Sequence, residues 1–375
     1  MRIVVNAIFL QNDRLEGYGR YVHEIFSRMV AAHPEDAFLF LSDRPLDDRF
    51  RYASNCQVKT VPPRARHPLS MFWWYHVKAP LAMRKWRPDV WVQPYGFGSL
   101  FTRIPQVLLV HDLAFLYYPQ FIPWYHRLYY RLFTPAFLKK AAKLVTVSEF
   151  SRNDICGKYG IAPEKIAIIP PAARAGFQPV DPEERENIKH AVSSGQEYFL
   201  YTGSIHPRKN LLNLLKAFSI FKKKQHSQMK LLIVGRQAWD YEGLLEKLQT
   251  YRYRKDVVLT GYVPEEKIVQ FTAAAYALVY PSYWEGFALP ILEAMQSGTP
   301  VLASQSSAMP ETGQDAALYA DPASPEAIAA QLLLLYKDEN LRNRLVRAGF
   351  QRAAQFSWDD SASRFRELIA SAQRQ

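Results

Sequence analysis

Two carboxylates, two cations and one histidine are the side chains in this sequence best placed to do chemistry. Glu285 and Glu293 bracket the run Gly286-Phe287-Ala288-Leu289-Pro290-Ile291-Leu292. Arg208 and Lys209 close the run Gly203-Ser204-Ile205-His206-Pro207, just ahead of an apolar helical pattern. His111 and Asp112 directly follow the strand-like run at 106–110. Paired cations before a helix start form a natural clamp for a diphosphate and offset the charge on a departing phosphate. The amides of Phe287, Ala288 and Leu289 lead into a second helix start, where backbone donors lack partners and favour anions. Carboxylates accept hydrogen bonds from hydroxyl groups. Phosphate donors beside hydroxyl acceptors suit a sugar nucleotide, which has a diphosphate, a ribose diol and a hexose.

The elements that must position these groups can be read around them. Residues 277–280 form a short apolar run of strand formers ended by Pro281-Ser282. Pro290 can open a helix, since proline in the first turn loses only a donor that had no partner. Ile291, Leu292, Ala294 and Met295 give the helix an apolar face, Gly298 stops it, and residues 301–304 read as the next strand. Strand, loop, helix, strand is a βαβ unit and implies a parallel sheet. Residues 198–201, 231–234 and 257–260 read as further strands, with Gly235 and Val263 just beyond the ends of the last two. Residues 3–6, 38–42, 58–61, 88–92, 106–110, 144–147 and 166–169 give an earlier set. The first of these leads through a loop to Gly17-Tyr18-Gly19 and an apolar helical stripe from Val22 to Val30. Gly-x-Gly is not the complete dinucleotide fingerprint, and the loop before it is long for that motif, so an ordinary glycine turn explains it equally well. The fold class is α/β with parallel sheets. Pro170, Pro171, Gly176, Pro179 and Pro182 mark a connector, which places domains at 1–180 and 181–357, followed by a last helix at 358–375.

Length and composition agree with two soluble-type cores: 375 residues with 22% charged side chains. Cys56 and Cys156 are too few for a disulfide framework or thiolate metal site, which fits a reducing cytoplasm. No leader opens the chain and no apolar run is long enough to span a bilayer, so any membrane contact is expected to be peripheral, on the inner face. The net charge of +12 is uneven: residues 1–180 hold 24 Lys and Arg against 13 Asp and Glu, and the remainder is nearly balanced. An anionic partner for the first half follows, either an anionic membrane surface or a lipid diphosphate acceptor. No recognisable nucleic-acid module is present, so no nucleic acid is expected. Residues 62–88 mix basic and aromatic groups (Arg64, Arg66, Trp73, Trp74, Lys78, Arg84). They suit a membrane interface, or a core helix with a solvated basic face. Residues 121–143 are also aromatic and basic, and are read as lining the acceptor side.

Glu285 through Ala294, with Gly298-Thr299-Pro300-Val301 and Pro310-Glu311, resembles the E-x7-E run of the family 4 retaining glycosyltransferases. Val110-His111-Asp112-Leu113 resembles that family's His-Asp motif. The resemblance is tight in residues 200–311 and looser elsewhere. It implies the GT-B architecture, two Rossmann-like domains facing across a cleft, with the last helix crossing back to the first domain. It implies that Glu285 contacts hydroxyls of the transferred sugar and Glu293 the donor ribose. His111 then sits near the sugar and acceptor path, Gly17 and Gly19 face the phosphates, and Gly235 and Val263 flank the base. The family often carries arginine directly after the glycine that matches Gly203; here Ser204 stands there. The variant Pro207-Arg208-Lys209-Asn210 lets Arg208 supply that charge, and it resembles mannosyl- and rhamnosyltransferases of surface polysaccharide assembly.

The expected activity is retaining transfer of a hexose, mannose from GDP-mannose, to a glycan or polyprenyl-diphosphate-linked acceptor. UDP-glucose and dTDP-rhamnose are the other donors considered. No catalytic metal and no cofactor beyond the donor are expected, because no Asp-x-Asp lies in an apolar strand context. Three other readings share parts of the pattern: a nicotinamide dehydrogenase, a sugar-nucleotide epimerase, and a non-catalytic carbohydrate-binding protein. The first lacks its fingerprint, and the last has no need of Glu285, Glu293 and Lys209 together.

Overall fold

The computed structural model describes residues 1–10, 15, 17–236 and 241–373. The chain forms two compact units, Met1–Pro171 with Ser357–Gln375, and Ala172–Phe356. The proline-rich connector at 172–180 thus belongs to the second unit.

The first unit is built on strands β1 (Arg2–Asn6), β2 (Ala37–Ser42), β3 (Cys56–Thr60), β4 (Val90–Gln93), β5 (Gln106–Leu109), β6 (Lys143–Thr146) and β7 (Ile166–Ile168). Their order across the sheet is β3-β2-β1-β4-β5-β6-β7, and each neighbouring pair is parallel. β4 and β5 are buried along their whole length, as a strand covered by helices on both faces must be. The order reverses between β1 and β4. Such a reversal opens a crevice at the carboxyl ends of the strands, because the two flanking connections leave in opposite directions.

Gly17 and Gly19 do not form a loop here. They are the first turn of the helix Gly17–Ala32, whose buried face is Tyr21, Val22, Ile25, Phe26, Met29 and Val30. A Cβ on Gly19 would collide with the Phe9 carbonyl, so glycine is required for this helix to approach the loop after β1; Gly17 has open space around it. The last helix, Trp358–Gln373, packs on that same helix. Phe365 meets Phe26 at 5.8 Å between ring centres, Trp358 meets Tyr21 at 5.7 Å, and the Ser361 hydroxyl donates to the Pro170 carbonyl at 2.6 Å. Residues 374 and 375 of the expected helix lie outside the described residues.

The aromatic segment at 62–88 is largely core. Met71, Trp74, Tyr75, His76, Ala79 and Met83 are buried, and the Trp74 indole donates to the Val61 carbonyl at 2.8 Å. Lys78, Arg84, Lys85 and Arg87 are exposed, as the core-helix reading requires.

The second unit carries β8 (Tyr198–Thr202), β9 (Lys230–Val234), β10 (Val257–Gly261), β11 (Ala277–Tyr280), β12 (Val301–Ser304) and β13 (Leu318–Ala320). All pairs are parallel, in the order β10-β9-β8-β11-β12-β13. Here the order reverses between β8 and β11, which brings the loops after those two strands side by side. β13, at the edge of the sheet, has no counterpart among the strands read from the sequence. Gly235 is fixed by packing: a Cβ there would collide with the Gly203 carbonyl, while Gly203 itself sits at φ +143°. Gly203 N–H donates to the Val234 carbonyl at 2.9 Å, locking the β8 and β9 loops together.

Candidate active site

The loop after β8 folds as a 3-10 turn, Pro207–Lys209. His206 caps it, its Nδ1 accepting from the Arg208 amide at 3.1 Å. Asn210 follows in the left-handed region at φ 64°. Its side-chain amide donates to the carbonyls of Pro281 and Pro322 at 3.0 and 2.6 Å, so the turn is tied to the loop after β11. Tyr283 N–H donating to the Arg208 carbonyl at 2.9 Å completes the tie.

These ties set Arg208 and Lys209 against Glu285. Lys209 is buried; its Nζ lies 2.5 Å from Glu285 Oε1 and 2.7 Å from the Tyr280 hydroxyl. Ser282 Oγ donates to the same Oε1 at 2.5 Å, and Arg208 Nη1 stands 3.5 Å from it while also donating to the Trp284 carbonyl. Every described contact of the Glu285 carboxylate is therefore to one oxygen, and Oε2 accepts nothing from a described residue. Burial by itself pushes the Glu285 carboxyl up. The charges of Lys209 and Arg208, with the hydrogen bonds from Lys209 and Ser282, outweigh it and hold the group below its ordinary range. Glu285 is thus an oriented, ionised carboxylate with one oxygen left for a ligand. The same two cations, after burial, keep His206 neutral, with its pKa down to about 4.

Glu293 lies in the helix Leu289–Gln296. Arg174 grips it in a two-pronged bond, Nε to Oε1 at 2.5 Å and Nη2 to Oε2 at 3.0 Å, and reaches Glu265 at 3.3 Å. Arg174 sits in the connector 172–180, and no spacing or motif marks it in the sequence. Neither that guanidinium nor the Ser282 and Tyr280 hydroxyls could have been found without the topology that brings them in. Ahead of this helix, Ala288 adopts φ 73°, an unfavourable conformation for a residue with a Cβ. The amides of Phe287, Ala288 and Leu289 precede the first intrahelical bond, Ile291 N–H to the Ala288 carbonyl at 3.0 Å. Phe287 and Ala288 are buried. Gly235 and Val263 stand just past β9 and β10, at the same carboxyl edge of the sheet.

In the first unit, His111 directly follows β5 and Val110. Its ring is hydrogen-bonded to the Pro94 carbonyl and packs on Tyr18 at 4.6 Å and Tyr21 at 5.2 Å. Burial pushes its pKa down to about 3, so the imidazole is neutral at ordinary pH. Nε2 is buried without a partner among the described residues, and can accept a hydrogen bond. Asp112 accepts from the Ala114 amide at 2.9 Å, which gives it a turn-forming role. The second unit thus brings Arg208, Lys209 and Glu285 together and holds Glu293 on Arg174, while His111, Gly17 and Gly19 lie in the first. Among the described residues, the His/carboxylate group compact enough for a cation is His33, Glu35 and Asp36; it includes no candidate site residue.

Residues 182–352 match the model of the glycosyl transferases group 1, and residues 15–174 match that of glycosyltransferase family 4. The O-antigen chain mannosyltransferase B of Escherichia coli is 32% identical over 255 residues, which is 68% of this chain and 67% of that protein. The chain belongs to the family 4 glycosyltransferases. The O-antigen chain mannosyltransferase RfbU of Salmonella typhimurium is 31% identical over 219 residues, 58% of this glycosyltransferase and 57% of the relative. The fold is GT-B. Sucrose-phosphate synthase of Thermosynechococcus elongatus superposes with TM-score 0.80 at 19% identity, covering 99% of both chains. Anabaena HepE, crystallised with UDP and glucose, gives 0.77 at 15% identity, over 99% of this chain and 100% of that one.

Proposed function

We propose that this glycosyltransferase moves mannose from GDP-mannose, with retention of anomeric configuration, to a glycan or polyprenyl-diphosphate-linked acceptor in surface polysaccharide synthesis. The observation that carries the reading is the Arg208–Lys209–Glu285 cluster at the point where the second sheet reverses. Two cations and one carboxylate leave a net positive charge there, suited to a leaving diphosphate, and Glu285 Oε2 is turned to account by a sugar hydroxyl. Glu293, oriented by Arg174, takes the ribose diol. The amides at 287–289 supply further donors, and Gly235 and Val263 leave backbone room for the base. Cations and amides replace a metal ion in neutralising the leaving group, so transfer needs none and no cofactor beyond the donor. The leaving phosphate itself takes the acceptor proton on the face it vacates, which gives retention without a covalent nucleophile. Mannose is favoured by the two relatives named as O-antigen mannosyltransferases. The first unit takes the acceptor, with the neutral His111 accepting from a sugar hydroxyl and Gly17 and Gly19 opening its first helix.

No helix among the described residues is long and apolar enough to cross a membrane. The enzyme works on the inner face of an anionic membrane through the helix Trp124–Lys140. That helix contains no acidic residue. Trp124, Leu128 and Leu132 recur one turn apart on it and are 68%, 50% and 61% exposed, flanked by exposed Arg127 and Arg131.

A thermal-shift screen of GDP-mannose, UDP-glucose and dTDP-rhamnose tests the donor, since a ligand bound only by the folded state raises Tm. GDP-mannose should give the largest rise, and EDTA should leave turnover unchanged. Product NMR should show the α-anomer. A larger shift with either other donor, or inversion, rejects that part of the reading.

A further inference from the structure

A cavity of about 250 Å³ opens in the first unit. Its wall is drawn from the loops that follow β1 (Phe9), β2 (Arg44), β3 (Arg66) and β4 (Phe97), and from the inner face of the helix Trp124–Lys140 (His126 and Tyr130). It therefore lies at the carboxyl edge of the sheet where the strand order reverses, the place where open α/β sheets hold ligands. Among the described residues, no aspartate or glutamate lines it.

The cations in the wall are held differently. Arg44 is fixed: its Nε donates to Asp43 Oδ1 at 2.8 Å, and Asp43 Oδ2 accepts from the Ala65 amide at 2.8 Å. Arg66 makes no hydrogen bond or ion pair through its side chain with any described residue, and its guanidinium is exposed. His126 bonds to the Arg66 carbonyl and leaves Nδ1 without a partner. The aromatic walls also carry an unused donor. Tyr130 stacks on Phe97 at 5.3 Å with 28° between planes, and its hydroxyl makes no hydrogen bond to a described residue. A space walled by aromatic rings, with two guanidinium groups and a phenol at its edge, matches a sugar ring that bears phosphate. Rings pack against the apolar faces of a pyranose, and arginine forks match phosphate oxygens.

We infer that this cavity binds a glycosyl phosphate or diphosphate, with Arg66 and Arg44 on the phosphate and Phe97 and Tyr130 against the sugar. The acceptor is then selected for its negative charge. This rests on the reading that the first unit takes the acceptor.

Calorimetric titration of the full chain with α-mannose 1-phosphate, a farnesyl-diphosphate-linked mannose, methyl α-mannoside and inorganic phosphate tests it. Both sugar phosphates should bind at least tenfold more tightly than methyl α-mannoside or inorganic phosphate. Arg66→Gln, on an exposed side chain, should keep the wild-type Tm and lose that preference. A free phosphate ester as the natural ligand predicts equal affinity for the two sugar phosphates, and a lipid-linked one predicts tighter binding of the farnesyl form; either fits the inference. Methyl α-mannoside or inorganic phosphate binding as tightly as the sugar phosphates, or a preference intact in Arg66→Gln, overturns it. Binding of sugar phosphate at the donor groups of the second unit would not respond to Arg66. If the Arg66-dependent preference holds while no nucleotide sugar is consumed, the transferase reading fails and this one stands.

Discussion

Lys209 and Glu285 are each nearly buried and each the other's main counter-charge, so their contributions to stability and to turnover can be separated. Glu285→Ala leaves a buried cation uncompensated and should lower unfolding free energy by about 3 kcal/mol. The same variant should lose transfer while nucleotide affinity changes little, since Arg208 and the amides remain. Lys209→Met combined with Glu285→Gln removes both charges. It should recover most of the stability in denaturant unfolding and none of the transfer; recovery of turnover would reject the role of Glu285. His111 gives a pH-dependent counterpart. Its folded pKa is pushed down to about 3 from an unfolded value of about 6.5. The stability it supports is complete above pH 6.5 and declines as pH falls toward 3, because the unfolded chain then binds the extra proton. Replacing it with phenylalanine should flatten the loss of unfolding free energy between pH 6.5 and 4.5, and a slope equal to wild type would contradict the buried neutral imidazole. At this scale the sequence was informative where chemistry is local. Glu285, Glu293, Arg208 and Lys209 stand in runs whose spacing marks them. Arg174, Ser282 and Tyr280 act through contacts made only after folding, so nothing in their own neighbourhoods points to them.

At the scale of elements, what decides the geometry is how closely loops approach one another. Gly235 lies against the Gly203 carbonyl, and a methyl group there must push β9 and β8 loops apart. Gly235→Ala should cost about 2 kcal/mol by overpacking, read as a lower Tm, and a variant as stable as wild type would show that the contact is slack. The helix Trp124–Lys140 has a different kind of surplus. Its inner face packs Tyr129, Phe133 and Phe137 against one another, with centroid distances of 4.8 and 6.0 Å along the series. Its outer face holds Trp124, Leu128 and Leu132 in solvent. Leu128→Glu and Leu132→Glu together should reduce co-flotation with vesicles containing anionic phosphatidylglycerol at least tenfold, leaving donor binding intact. Equal flotation of variant and wild type would remove the membrane role from this helix. Most strands and helix positions were legible from apolar runs and from glycine and proline. The glycines at 17 and 19 were misplaced in a loop, because glycine in a helix's first turn looks the same in sequence as glycine in a turn. What distinguishes them is the Phe9 carbonyl, brought close by tertiary packing. The segment 62–88 was ambiguous because a helix that buries tryptophan and solvates arginine carries the composition of an interfacial one.

For the whole molecule, the chain leaves the first unit at Pro171 and re-enters it at Ser357. The returning helix buries Trp358, Phe365, Ile369 and Ala372, and Arg366 bonds Asp36 at 3.2 Å. Truncation after Phe356 should therefore lower the stability of the first unit even though every strand of its sheet is retained. A protein of wild-type Tm would contradict this. The α/β class was legible because parallel strands announce themselves as short apolar runs separated by helical patterns, and the GT-B architecture followed from the resemblance carried by residues 285–294. The sheet orders were not, since neither reversal of strand order leaves a mark in the sequence. The reversal in the second sheet brings the loop of Arg208 and Lys209 beside that of Glu285. A crystal structure with GDP-mannose bound gives the most direct test. The account predicts the diphosphate against Arg208, Lys209 and the amides at 287–289, the ribose at Glu293, and a mannose hydroxyl on Glu285 Oε2. A nucleotide seated away from Lys209 and Glu293 would contradict it.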